Sequence, residues 1–174
     1  MRTACAAMLL AGALLAGCAS DMTVRLASPA PTSAPALATV KVNDLRAPGV
    51  AASKREAAFG VPMGNIAFNP PEAQVVQHLL ETELSRKLAA SGGRGARSYE
   101  CDLIEFGANT VTTPLYWDVV GRVRLALKAD GKKLDLRGEK TERTYLWPGE
   151  SVVASTVESA LEQIARQVRE ADLP

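Results

Sequence analysis

LYWDVVGRVRLALKADGKKLDLRGEKTERTYLW, residues 115–147, consists of two runs of alternating apolar and polar residues that meet at Asp130-Gly131. A two-residue Asp-Gly connection supplies the positive φ that a tight hairpin turn demands at both central positions, so the stretch predicts a β-hairpin. With Asp130 and Gly131 as the loop, Leu127 faces Leu134 and Leu125 faces Leu136 on one face, while Arg122 meets Glu139 and Asp118 meets Arg143 on the other. Opposite charges directly across an antiparallel pair favour that pairing, and a one-residue slip would move every side chain to the wrong face. Beyond Gly138, Lys140 and Glu142 fall on the apolar face; either a bulge reverses the faces there, or the far end projects past the helices that cover the sheet.

Outward from the hairpin, SYECDLIEF (98–106) alternates Tyr99, Cys101 and Leu103 against Glu100 and Asp102, and LATVKVNDLR (37–46) alternates Val40 and Val42 against Thr39, Lys41 and Asn43. Both read as half-buried strands. APGVAASKREAAFGVPMG, residues 47–64, is punctuated by Gly and Pro and reads as a long surface loop of the kind that often carries function; NIAF (65–68) is short enough for an edge strand. Two amphipathic helices complete the set. The first follows Asn69, with Pro70 in its first turn, Glu72 at capping-box spacing, an apolar stripe of Val76, Leu80, Leu84 and Leu88, and Gly92-Gly93 as its stop. The second carries Val153, Val157, Leu161, Ile164 and Val168, with Ser155 and Glu158 at capping spacing near its start. Each stripe must be buried, which predicts an α+β two-layer sandwich: a mainly antiparallel sheet of about four strands with two helices on one face.

The chain begins with Met1-Arg2-Thr3, then the apolar ACAAMLLAGALLAG, then Cys18. One positive charge, an apolar run shorter than the ~20 residues of a membrane-spanning helix and small residues at its end read as a signal peptide over residues 1–17. Leu15-Ala16-Gly17-Cys18 resembles the bacterial lipobox. That resemblance implies a diacylglycerol on the Cys18 sulfur, cleavage before it and acylation of the new amine; Ala19 after the cysteine implies sorting to the outer membrane, on its periplasmic face, more than retention at the inner one. Several acyl chains together anchor stably where one does not. Residues 18–36, rich in Ala, Ser and Pro, read as the lipidated cysteine and a flexible tether, able at ~3.1 Å per residue to hold a single periplasmic domain, residues 37–174, up to roughly 50 Å from the bilayer.

Loss of the leader removes Arg2 and Cys5, leaving nineteen basic against nineteen acidic residues. That balance argues against nucleic-acid binding, which needs a concentrated basic surface. With Cys18 lipidated, Cys101 is the one remaining thiol, so no internal disulfide can form, and its strand position suits a buried small hydrophobe. His78 is the single histidine; it sits at the margin of a helical stripe, with Glu81 and Glu83 expected on the solvated side. A zinc site would have to combine His78 and Cys101 with carboxylates alone, a poor match to zinc's N/S preference. Glu100, Asp102 and Glu105 could form an acid/base pair, yet alternation turns the first two outward. Gly92-Gly93-Arg94-Gly95 follows a helix, whereas a phosphate loop precedes one. No metal, cofactor or catalytic residue is therefore expected. The aromatic residues stand out: Phe59 in the 47–64 stretch, and Tyr116, Trp117 and Tyr145 at one end of the hairpin, form a candidate contact surface, since Tyr and Trp are enriched at interfaces.

The LAGC leader, the VNDLR strand end with Asp44 and Arg46, NIAF, VVQHLLETEL, the strand pair YECDLIEF and DVVGRVRLALKADGKKL, and the final helix together resemble the YajG-type periplasmic lipoproteins. They resemble more loosely the auxiliary lipoproteins of ABC-type lipid transport systems. The first resemblance implies a non-enzymatic binding or assembly module of the cell envelope with an envelope protein or lipid as partner; the second implies an accessory that holds a lipid between sheet and helices. A cavity between the helical stripes and the Val119–Leu127 strand would favour lipid handling, a filled core a docking module, and convergence of His78 with two acids an enzyme.

Overall fold

The computed structural model describes residues 21–27, 37–47, 53–57, 60–92 and 95–173. Among them run β1 (Met22–Arg25), β2 (Ala38–Asp44), β3 (Ser53–Ala57), β4 (Val61–Asn69), α1 (Glu72–Ala90), β5 (Arg97–Thr112), β6 (Trp117–Ala129), β7 (Lys132–Thr144) and α2 (Glu150–Glu170). The fold is an α+β sandwich with a four-stranded sheet in the order β2-β5-β6-β7 and a three-stranded sheet in the order β1-β4-β3. Among the described residues no helix is long and apolar enough to cross a membrane.

The hairpin has the register that its charges and leucines require. Leu127 pairs with Leu134, Leu125 with Leu136, Arg122 with Glu139 and Asp118 with Arg143, and Asp130 and Gly131 both take positive φ, 45° and 78°. The β6–β7 ladder runs to Trp117 opposite Thr144 without a register shift, so no bulge reverses its faces. Glu142 instead reaches α2, where it accepts a hydrogen bond from the Ser155 hydroxyl at 2.7 Å. β5 carries the irregularity, between Leu103 and Glu105. That shift hands the inward face from Tyr99, Cys101 and Leu103 to Phe106, Ala108 and Thr110, all buried, and lets one long strand keep a single buried face.

α2 crosses that face with its backbone almost on the sheet. A Cβ added at Gly121 would lie 2.7 Å from the Thr156 carbonyl carbon, and one at Gly138 would run into the Ala160 carbonyl. The two glycines are thus the floor on which the helix rests. Between them and the β2 end of the sheet, Val76, Leu80, Leu84, Leu103, Leu125, Leu127, Leu136 and Ile164 form a core with essentially no solvent contact. Phe68 of β4 meets Phe106 of β5 edge-on, centroids 5.4 Å apart, and so ties the small sheet to the large one.

Several expectations are corrected. The stretch 47–64 is not a loop throughout: it contains β3 and the first residues of β4, and the inward residues of β3 are Ser53 and Arg55, so no apolar period betrays it. NIAF lies in the middle strand of the small sheet, not at an edge. Met22–Arg25, read as tether, is a strand parallel to β4; Met22, Val24 and the adjoining Leu26 alternate toward the core, over a run too short to stand out beside an Ala-, Ser- and Pro-rich stretch. Asn69 does not cap α1, which starts behind Pro71 without a side-chain cap; its carbonyl accepts from the Leu26 N–H at 3.0 Å, and Glu72 pairs with Arg46 at 3.2 Å. α2 starts at Glu150 behind Gly149 without a side-chain cap, so Ser155 and Glu158 lie inside the helix and do not cap it. Glu81 and Glu83 are not on a solvated face. Glu81 accepts from the Val40 N–H at 3.1 Å, while buried Glu83 lies between Arg86 at 2.8 Å and Arg169 of α2 at 3.2 Å.

A common theme accounts for these polar contacts. The outer edge of β2 donates Ala38 N–H to the Ser85 hydroxyl and Val40 N–H to Glu81. β7 exchanges hydrogen bonds with the Gln163 and Gln167 side chains through Glu139 and Arg137. β1 donates Arg25 N–H to Glu150 and Ala27 N–H to Glu158, both at 2.8 Å. β3 and β5 are joined by side chains: the Ser53 hydroxyl accepts from the Ala108 N–H at 3.0 Å, and Thr110 both accepts from the Glu56 N–H and donates to the Glu56 carbonyl. Unpaired strand edges invite pairing with other chains, and here helix and threonine side chains occupy them.

Candidate functional site

Strand directions gather four segments at one end of the molecule. β5 ends at Thr112 and β6 begins at Trp117; β7 ends beside them, Thr144 opposite Trp117. β3 runs alongside β5, Ser53 at Ala108 and Glu56 at Thr110 and Thr112, so its last residues and the first of β4 reach the same end. Two threonines fix the connections. Thr113 accepts from the Leu115 and Tyr116 N–H groups and donates to the Tyr116 carbonyl, and Thr144 accepts from the Leu146 N–H while donating to its carbonyl. Such local side-chain turns leave the apolar residues between them pointing outward: Leu115 is 79% exposed, Leu146 78%, Tyr145 75%, and Val61, Val111 and Trp147 are exposed as well.

The aromatic rings are locked together. Tyr116 meets Tyr145 edge-on at 6.5 Å and Trp117 meets Trp147 edge-on at 4.5 Å. The Arg143 guanidinium lies 3.8 Å from the Tyr116 ring centre and that of Arg55 4.7 Å from the Trp147 ring centre, distances at which a cation is attracted to a ring face. Asp118 grips Arg143 with both oxygens, at 2.8 and 3.1 Å; the bond to Arg143 holds the Asp118 carboxyl below its ordinary range. The surface is therefore preorganised, so its side chains lose little freedom on contact.

Of the expected contact residues, Tyr116, Trp117 and Tyr145 come together here, joined by Trp147, which no alternation or register marks. Trp147 lies beyond the last ladder pair, and its sole signal was its position two residues after Tyr145. Phe59 and the lipid-attachment candidate Cys18 lie outside the described residues. Cys101 is fully buried, and burial pushes its thiol up to about 12. His78 lines a groove with Gln74, Gln77 and Glu81, where Glu81 is already engaged by the Val40 N–H. Asp102, expected to be solvated, is largely covered: Lys128 at 2.7 Å and the Asn43 amide at 3.2 Å hold its carboxyl below the ordinary range. Asp44 and Arg46 form a two-pronged pair, with Arg46 also reaching Glu72; they tie the end of β2 to the start of α1. Among the described residues no three His, Cys, Asp or Glu side chains converge as metal ligands would.

No family model matches the chain, and no curated protein matches its sequence. Solved structures similar to it include an uncharacterized protein, 12% identical, covering 87% of this chain and 99% of the other at a TM-score of 0.45. Another is a Xanthomonas campestris protein described as family-model DUF330, 14% identical, covering 86% of this chain and 91% of the other at a TM-score of 0.44.

Proposed function

We propose that the chain is a lipoprotein of the bacterial cell envelope, held to the outer membrane through Cys18, and that its domain is a non-enzymatic binding module whose contact surface is the aromatic end. The observation that carries this reading is the cluster in which exposed Leu115, Tyr145, Leu146 and Trp147 stand over half-buried Tyr116 and Trp117, ring locked against ring. Contiguous exposed apolar surface is costly to leave in water and marks contact sites. The resemblance of its sequence pattern to YajG-type lipoproteins supports the same class. Lipid storage between sheet and helices fits less well, because the α2 backbone rests on Gly121 and Gly138 and leaves no room for an acyl chain there.

The anchor is tested by palmitate labelling and fractionation of the full chain beside Cys18→Ser. Loss of label and release from the membrane fraction are expected; a membrane-bound, equally labelled variant would refute the anchor. The surface is tested by a photocrosslinking residue at Leu146 against one at Lys133, at the opposite, hairpin-tip end. Crosslinks only from Leu146 are expected, and equal yields from both sites would refute the assignment.

A further inference from the structure

We infer that the aromatic end rests on the lipid bilayer that holds the anchor, so that the partner of this contact surface is the membrane interface itself. The inference builds on the reading of Cys18 as the lipid-attachment point.

β1 pairs in parallel with β4, Met22 opposite Ile66 and Arg25 opposite Asn69, and β4 starts at Val61, at the aromatic end. Traced backward, β1 therefore heads toward that end. The residue before it, Asp21, accepts the Asn65 N–H at 2.8 Å. From Asn65 the four remaining steps of β4 to Val61 span about 13 Å at strand rise. The three steps from Asp21 back to Cys18 reach at most about 11 Å when extended. Three residues therefore cannot carry Cys18 past the level of the aromatic end, and they keep it within about 11 Å of Asp21. The ~50 Å reach of a tether starting at the cysteine does not apply once Met22–Arg25 is built into the sheet; a lipid on Cys18 brings the domain down onto the bilayer.

The end that arrives there has the composition of a membrane-facing surface. Tyr and Trp favour the headgroup level, where an apolar ring body and a polar tip are both accommodated. Here two Tyr and two Trp stand with Leu115 and Leu146, the most exposed of the large apolar residues described. Arg143 is neutralised by Asp118, so the ring cluster is not set off by an unpaired guanidinium at that position. A lipid anchor combined with a second surface contact is the pairing that makes peripheral attachment stable, and confinement by the anchor raises the local concentration of that surface at the membrane.

Trp117 and Trp147 are the only tryptophans in the chain, so intrinsic fluorescence reads this surface directly. The lipidated full chain is reconstituted into phosphatidylethanolamine–phosphatidylglycerol vesicles, with or without acyl-brominated lipid, and flotation is scored separately from emission. Flotation with blue-shifted emission that brominated lipid quenches supports the inference. Flotation with unquenched emission overturns it and leaves the anchor standing; failure to float overturns the anchor and the inference together. The paired substitutions Leu115→Asp and Leu146→Asp, at solvent-exposed positions, are expected to lose quenching while retaining flotation and the circular dichroism of the parent. Quenching that survives them, or an unquenched surface that photocrosslinks from Leu146 to a protein, would refute the membrane as its partner.

Discussion

Gly121→Ala isolates the closeness of α2 to the sheet, because the three atoms nearest its added Cβ all belong to the helix backbone: the Thr156 carbonyl carbon at 2.7 Å, its oxygen at 2.8 Å and the Val157 nitrogen at 2.9 Å. Carbon pairs are comfortable from about 3.5 Å, so helix and strand must part by roughly 0.8 Å. Backbone cannot rotate aside as a side chain can. Overpacking of this kind costs about 1–3 kcal/mol, offset by the ~0.5–1 kcal/mol that Ala gains over Gly within a strand. A net loss of up to about 2.5 kcal/mol, centred near 1 kcal/mol, follows, which at a urea m-value of about 2 kcal/mol/M lowers the unfolding midpoint by about 0.5 M and by no more than about 1.3 M. Gly95→Ala, exposed and with nothing within 4 Å, is the control and is expected to stay within about 0.5 kcal/mol of the parent. Gly138→Ala strikes the same helix at Ala160. Lifting α2 once relieves both clashes, so the double variant should cost less than the two singles together, the non-additivity of sites that share a partner. Equal midpoints for Gly121→Ala and Gly95→Ala, or strictly additive losses, would refute the picture of a helix seated on two glycines.

Ser53→Ala strips the buried Ala108 N–H of its acceptor and should cost about 1–3 kcal/mol; Thr112→Val, at an exposed bond to Glu56, should cost less than about 0.5 kcal/mol, and a reversed order in urea melts would remove β3 from the list of structural strands. Gln163→Ala and Gln167→Ala free the β7 edge; amide exchange at Glu139 should accelerate in the first variant and at Arg137 in the second, and protection unchanged in both would show that the edge does not depend on these side chains. Asp102 has a folded-state pKa lowered by Lys128 and Asn43, so its contribution to stability is present above the unfolded value of about 3.9 and is lost as pH falls through the folded one. The urea midpoint should drop on acidification below about pH 4, less steeply in Asp102→Asn, and identical slopes would contradict the pairing.

How much was legible in advance depends on what each strand offers the core. The hairpin could be read to the residue because leucines mark one face, complementary charges the other, and Asp130-Gly131 the turn. β3 could not, since its described buried residues are Ser53 and Arg55, and β1 could not, since Met22, Val24 and Leu26 alternate over too short a run beside an Ala-, Ser- and Pro-rich stretch. The polar residues of α1 misled for a related reason. Glu81 and Glu83 look like a solvated face, yet with Ser85 they are spent on a strand edge and a helix interface, where hydrogen-bonding capacity and not hydrophobicity decides orientation. At the candidate site the hairpin register was enough to bring Tyr116 and Tyr145 together. Trp147 escaped because it sits past the last paired residue, where alternation says nothing.

The same edge contacts narrow how this domain can engage a partner. A sheet with an open edge can recruit an extended peptide by strand addition, with main-chain hydrogen bonds supplying affinity. Here Glu150 and Glu158 meet β1, Ser85 and Glu81 meet β2, Gln163 and Gln167 meet β7, and Ser53 with Thr110 joins β3 to β5. Strand addition at any of these edges would first have to displace a formed hydrogen bond, and the desolvated side-chain acceptor would need a new donor. The α2 backbone on Gly121 and Gly138 closes the inner face of β6 and β7 in the same way. What the described fold leaves unoccupied is side-chain surface, and its apolar part is concentrated where Leu115, Tyr145, Leu146 and Trp147 project. On the proposed reading, recognition there is by apolar and ring contact, which a bilayer interface offers along its whole extent and which a protein partner would have to match with an apolar patch of its own.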